Sequence, residues 1–128
     1  VMPIEKKLIL TLDDDPVMLN LTVAIIKKEY LVRPFVSVET AFKFLALKRR
    51  PQVDLMLLDY YMPEMEGPEV LRRLRADPAY ASIPVVFLTG LEEAEHSRKL
   101  LEQGAVDVIG KPPVAETLMA AIRNILEN

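Results

Sequence analysis

The 128-residue sequence contains no cysteine, which excludes a disulfide framework and a thiolate metal site and is compatible with a reducing compartment. Histidine is nearly absent too. The one residue of that type, His96, sits between Glu95 and Ser97 on a polar helical stretch and is expected to be exposed, with no catalytic role. No apolar run reaches the roughly 18 residues of a membrane span, and no charged head with an apolar run resembles a signal peptide. A cytoplasmic protein without a membrane partner is expected. Neither sign of charge dominates, with 16 Lys and Arg against 19 Asp and Glu and a net charge of -3. That balance leaves no footprint for nucleic acid within the chain.

What is present is a globular composition, 51% hydrophobic and 27% charged, enough for one domain with a sizeable core. Residues 1–6 are expected to be disordered or a remnant of expression, and the folded domain to span 7–128. Leu8–Leu12 reads as a buried strand, and Asp15-Pro16 as an N-cap with proline at the first helical position. The helix that follows carries Met18, Leu21 and Ile25 at helical spacing. Val32–Val38 is an edge strand or starts irregularly, because Pro34 cannot donate to a central ladder. A helix over Glu39–Arg49, a strand over Val53–Leu58 and a helix over Pro68–Arg75 come next. Pro84–Leu88, Glu92–Gln103, Val106–Ile109 and Val114–Leu126 complete the alternation as strand, helix, strand and helix. The last helix puts Leu118, Ala121, Ile122 and Ile125 on one stripe.

Five strands alternating with five helices imply right-handed crossovers over a parallel sheet, a three-layer α/β/α sandwich of the flavodoxin-like, doubly wound kind. In such sheets ligands bind outside the carboxyl ends of the strands where the order reverses, between strands one and three for the order 2-1-3-4-5. Those two strands exit into acids: Asp13-Asp14-Asp15 after the first and Asp59 after Val53-Asp54-Leu55-Met56-Leu57-Leu58. Carboxylates that converge raise one another's pKa unless a cation neutralises them. Oxygen-only donors favour Mg2+, which keeps several waters and takes phosphate oxygens as further ligands. Strand four exits at Thr89-Gly90 and strand five at Gly110-Lys111-Pro112, supplying a hydroxyl and an ammonium to the same rim. With Asp59 as nucleophile and Thr89 and Lys111 on the phosphoryl oxygens, the set suits formation of an aspartyl phosphate.

Leu12-Asp13-Asp14-Asp15-Pro16, Leu57-Leu58-Asp59, Met62-Pro63, Gly67, Ile83-Pro84-Val85-Val86-Phe87-Leu88-Thr89-Gly90, Gly104-Ala105, Asp107 and Lys111-Pro112 together resemble a receiver domain of two-component response regulators, of the single-domain chemotaxis type. The resemblance implies that Asp59 accepts a phosphoryl group from a sensor histidine kinase or a histidine phosphotransfer protein, in a Mg2+-dependent reaction that alters protein-protein interaction. It implies that Asp14, Asp59 and the backbone carbonyl of Tyr61 ligate the metal, that Asp13 acts through water, and that Lys111-Pro112 is cis. Tyr61 would lie beside the acyl phosphate and slow attacking water.

The chain also departs from that pattern. Val108 stands where a switching aromatic is frequent, Pro113 where an aromatic commonly follows Lys-Pro, and Gly90 where Ala is frequent. An output through another face or partner is therefore expected. The bland readings are a capping role for Asp15, core packing for Met56, loop packing for Met62 and Met65, and solvated helix faces for Arg72, Arg73, Arg75, Glu92, Glu93 and Glu95. The alternative function is a degenerate receiver acting as a phosphorylation-independent docking module, against which the complete acid, Thr and Lys set argues. A haloacid-dehalogenase-type phosphatase would need Asp-x-Asp followed by Thr or Val, and a flavodoxin a Ser/Thr/Gly-rich phosphate loop; Asp13-Asp14-Asp15-Pro16 offers neither.

Overall fold

A computed structural model describes residues 6–90 and 96–127. Most of the expectation for residues 1–6 lies outside it, as do Glu92, Glu93 and Glu95. The elements run β1 (Leu8–Leu12), α1 (Pro16–Ile26), β2 (Leu31–Phe35), α2 (Val38–Leu45), β3 (Leu55–Asp59), α3 (Gly67–Ala76), β4 (Val85–Thr89), α4 (Ser97–Glu102), β5 (Asp107–Gly110) and α5 (Ala115–Leu126). All strands are parallel, in the order β2-β1-β3-β4-β5.

Every residue of β1, β3 and β4 is buried, as unalternating apolar strands covered on both faces must be. Leu8, Leu10, Leu12, Met56, Leu58, Val85 and Phe87 meet Val38, Ala41, Leu45, Val70, Leu71, Leu74 and Leu100 from α2, α3 and α4. On the other face Ile9, Leu55, Leu57, Val86, Leu88 and Ile109 meet Ile26 of α1 and Leu118, Met119 and Ile122 of α5. β2 pairs only with β1, so Pro34 occupies the edge position its missing N–H requires.

Asp15 caps α1 as expected: its Oδ1 accepts from Val17 N at 2.9 Å. Such a cap contributes about 1 kcal/mol. The buried face of α1, however, is Leu19, Thr22 and Ile26, one residue away from the Met18, Leu21, Ile25 stripe, and Leu21 is exposed. This helix is apolar nearly all round, so spacing alone does not say which side turns inward.

β2 also stops short of Val38. Ser37 ends the extended segment by capping α2, its Oγ accepting from Thr40 N at 3.2 Å, so Val38 is helical. α2 ends at Leu45 rather than Arg49. Pro51 disfavours helical backbone at Arg50, and Arg50 Nε instead turns back to the Leu45 carbonyl at 3.0 Å. The expected start of the fourth helix at Glu92 lies outside the described residues, and the other boundaries move by a residue or two, as helix and strand ends do.

Candidate phosphoryl-transfer site

The register aligns Leu12 with Leu58, Asp59 with Leu88 and Thr89 with Gly110, so four consecutive strand exits open on one rim. Asp13, Asp14 and Asp59 each place a carboxylate oxygen within 4.8 Å of the others, Asp14 on the exposed side and the other two buried. Asp13 is 4% exposed, Asp59 7% and Thr89 2%. Lys111 Nζ donates to Asp59 Oδ1 at 2.7 Å and stands 3.1 Å from Asp13 Oδ2. The Lys111-Pro112 peptide is cis, and Lys111 N donates to Thr89 O at 2.7 Å, tying the ends of β4 and β5 together.

Asp13 Oδ1 accepts from Asp15 N at 2.9 Å. Its buried Oδ2 lies within ion-pair distance of Lys111 but has no aligned hydrogen bond among the described residues. A buried carboxylate oxygen lacking a hydrogen bond, beside two more carboxylates, fits a hard cation with oxygen ligands. Asp13, Asp14 and Asp59 are the side chains that could hold it.

Burial pushes the Asp59 carboxyl up to about 6, reinforced by the Asp13 charge and by Asp14, while the Lys111 hydrogen bond and charge pull it down. Burial works against the Lys111 ammonium, but its hydrogen bond to Asp59 and the two carboxylate charges outweigh that and raise its pKa. Because Asp59 titrates higher folded than unfolded, its ionisation opposes folding, and its contribution worsens as pH rises from about 4 to about 6. Asp59→Asn is therefore expected to be more stable than wild type at pH 7 in chelator, by on the order of 1 kcal/mol after solvent screening at this open rim. Thermal melts from pH 4 to 7 check this: the gap should close toward pH 4, and an equal gap at both ends would refute it.

The loop after β3 is held at close quarters. Gly67 N donates to Tyr60 O at 2.6 Å, and a Cβ on Gly67 would lie 2.4 Å from Phe87 Cε1 and 2.9 Å from Asp59 O. Met62 is buried and Met65 packs on the same core, as expected of loop anchors. Glu64 caps α2 across the loop, accepting from Val38 N at 3.3 Å; nothing in the sequence signals that contact. Tyr61 is 52% exposed, its ring edge-on to Tyr60 at 4.8 Å. Val108 lies half-buried against the core.

Two expectations are corrected. His96 is half-buried, its ring stacked on Tyr60 at 6.0 Å between centroids, because the β3–α3 loop brings an aromatic to the start of α4. Arg75 is not a solvated charge: Nη1 donates to Ile83 O at 2.9 Å and Nη2 to Gly104 O at 3.1 Å. Neighbouring Arg73 lies over the Phe42 ring at 4.4 Å, whereas Arg72 pairs with Glu69 in solvent.

Residues 9–123 match the response regulator receiver domain family. The chain belongs to that family. This receiver domain is 34% identical to a probable cyclic di-GMP phosphodiesterase of Vibrio cholerae, over 94% of this chain and 26% of that protein. It is 32% identical to hybrid signal transduction histidine kinase D of Dictyostelium discoideum, over 94% of this chain and 8% of that one. The chain thus spans a small part of these curated relatives. Among solved structures, the signal receiver domain of a signal transduction histidine kinase from Syntrophus aciditrophicus superposes with a TM-score of 0.81 at 31% identity, over 94% of this chain and 90% of that one. The receiver domain has no helix among its described residues long and apolar enough to cross a membrane.

Proposed function

We propose that this receiver domain, folded from residue 7 onward, accepts a phosphoryl group on Asp59 from a phosphohistidine and signals through altered protein-protein interaction. The observation that carries the reading is the buried Asp59 carboxylate at a strand exit, 2.7 Å from Lys111 Nζ and clustered with Asp13 and Asp14. An Asp59 oxygen attacks phosphorus, the P–N bond of the donor breaks, and its electron pair returns to the imidazole, which takes up a proton. With its pKa at about 6, Asp59 is largely ionised at pH 7 and ready as the nucleophile.

Lys111 is already paired with the nucleophile, so it can follow the charge onto the phosphoryl oxygens with little reorganisation. Thr89, at the adjacent exit, offers its hydroxyl to another of those oxygens. Asp14, Asp59 and the Tyr61 carbonyl would hold Mg2+, with Asp13 acting through water, and the ion would supply charge neutralisation for the crowded carboxylates and the incoming phosphoryl group. Tyr61 screens the acyl phosphate from water. Hydrolysis then breaks the P–O bond, releasing inorganic phosphate and restoring Asp59, so the domain is a phospho-acceptor rather than a turnover enzyme.

The donor is a sensor histidine kinase or a histidine phosphotransfer protein, and the setting cytoplasmic. Relatedness to a hybrid histidine kinase supports that donor class. The test is intact mass after incubation with acetyl phosphate, with Mg2+ and with chelator. One Mg2+-dependent phosphoryl adduct, absent from Asp59→Asn, is expected. An adduct that persists in Asp59→Asn would remove Asp59 from the role, and no adduct in wild type would favour a docking module.

A further inference from the structure

In this receiver domain the side chain of β5 beneath the site is Val108, an aliphatic group packed half-buried on the core. A valine has one stiff χ1 and no ring that can trade an outward for an inward position. If α4 is to respond to Asp59, another contact has to reach it. Among the described residues α4 is six residues long, has no side-chain cap at His96, and inserts one buried side chain, Leu100. A helix so short draws little stability from its own hydrogen bonds, so its position depends on what it packs against.

What it packs against at its start is the residue next to Asp59. Tyr60 and His96 stack with centroids 6.0 Å apart and planes 25° from parallel. The Tyr60 ring also meets Tyr61 edge-on at 4.8 Å. Both Tyr60 and His96 are half-buried, and they line a small groove of about 280 Å³ together with Glu66, Pro68, Lys99 and Gln103. The Tyr60 carbonyl accepts from Gly67 N at 2.6 Å, which ties the loop after Asp59 to the start of α3. A displacement of the loop at Asp59 is therefore passed to a ring already in contact with α4.

We propose that the Tyr60–His96 ring pair carries the state of Asp59 to the start of α4, serving where Val108 offers no aromatic switch. This rests on Asp59 being the phospho-acceptor. Modification of Asp59 draws Lys111 from the carboxylate to the phosphoryl oxygens and shifts the residues that follow it. Tyr60 moves with them, and the stack converts that movement into a change in how α4 sits over Leu100. His96 is a positioning residue here and takes no part in transfer.

The experiment is amide hydrogen exchange over α4, before and after acetyl phosphate with Mg2+, in wild type, His96→Ala and His96→Phe, with intact mass recording the adduct in each sample. Wild type should show a change in α4 exchange of about five-fold or more on modification. His96→Ala should acquire the same adduct without that change, and His96→Phe, which keeps a stacking ring, should recover it. An unmodified wild type would refute the acceptor reading and this inference with it. Full adduct with an unchanged α4 in wild type, or an undiminished α4 response in His96→Ala, would overturn the inference alone. His96→Phe keeps the test decisive should His96→Ala loosen α4 by itself, since a packing defect without a relay leaves the phosphorylation response in place.

Discussion

Lys111→Met is expected to destabilise the receiver domain by about 3 kcal/mol at pH 7 in chelator, the usual scale for removing one partner of a buried ion pair. The ammonium holds two buried carboxylates, 2.7 Å from Asp59 and 3.1 Å from Asp13. Methionine leaves both without a cation in a place where Asp13 Oδ2 already lacks a hydrogen bond among the described residues. The loss should shrink at pH 5, where Asp59 protonates readily because its lowering partner has gone, and shrink again with Mg2+. In wild type the lysine's contribution persists across neutral pH: its folded pKa is raised above 10.5, so the stabilisation fades only as pH climbs past that range.

Phosphoryl uptake from acetyl phosphate should also fall, by about 10²–10³-fold, the scale for deleting one preorganised group at a charge that develops in the transition state. Urea denaturation at both pH values and a time course of intact mass check the two halves separately. A variant as stable as wild type in chelator, or one phosphorylated at the wild-type rate, would contradict the role given to Lys111.

Gly67→Ala is the second large effect. The new methyl would meet Phe87 Cε1 at 2.4 Å and the Asp59 carbonyl oxygen at 2.9 Å. Phe87 is fully buried in the core and the carbonyl belongs to the last residue of β3, so neither neighbour yields without moving something else. Overpacking of this kind costs about 1–3 kcal/mol.

The more telling consequence is functional, because relief by the loop shifts Asp59, the proposed phosphoryl acceptor. Misplacement near 1 Å can cost about 10²-fold in rate, and a loss of at least ten-fold in phosphoryl uptake is expected. Phe87→Leu in the same chain would remove the ring contact and leave the carbonyl contact. The double variant should therefore regain stability but not the transfer rate. Recovery of both would place the whole defect in core packing, and wild-type behaviour of Gly67→Ala would show that the loop can move freely.

Much of this was legible in the chain because it depends on patterns of short range. Unalternating apolar runs in Leu8–Leu12, Val53–Leu58 and Pro84–Leu88 read as doubly covered strands, and the strands that form there, β1, β3 and β4, are wholly buried. The same patterns brought the acids, Thr89 and Lys111 to one rim, since parallel strands of similar length place all their exits on the same side. Asp15 as a cap and Pro34 at an edge followed from which backbone groups each can satisfy. Where several faces were equally apolar the pattern failed, as on α1, whose buried face is set one residue from the expected stripe.

By itself, then, the sequence determined the α/β/α architecture, the strand order, the absence of thiol chemistry and the set of residues that meet at the strand exits. Tertiary structure decided how those residues are charged and clamped. Only packing could bury Asp59 enough to raise its pKa to about 6, press Gly67 against Phe87 and the Asp59 carbonyl, turn Arg75 inward onto two carbonyls, and stack His96 on Tyr60. Each of these depends on distance and dielectric between residues far apart in the chain, quantities that hydrophobic periodicity does not carry.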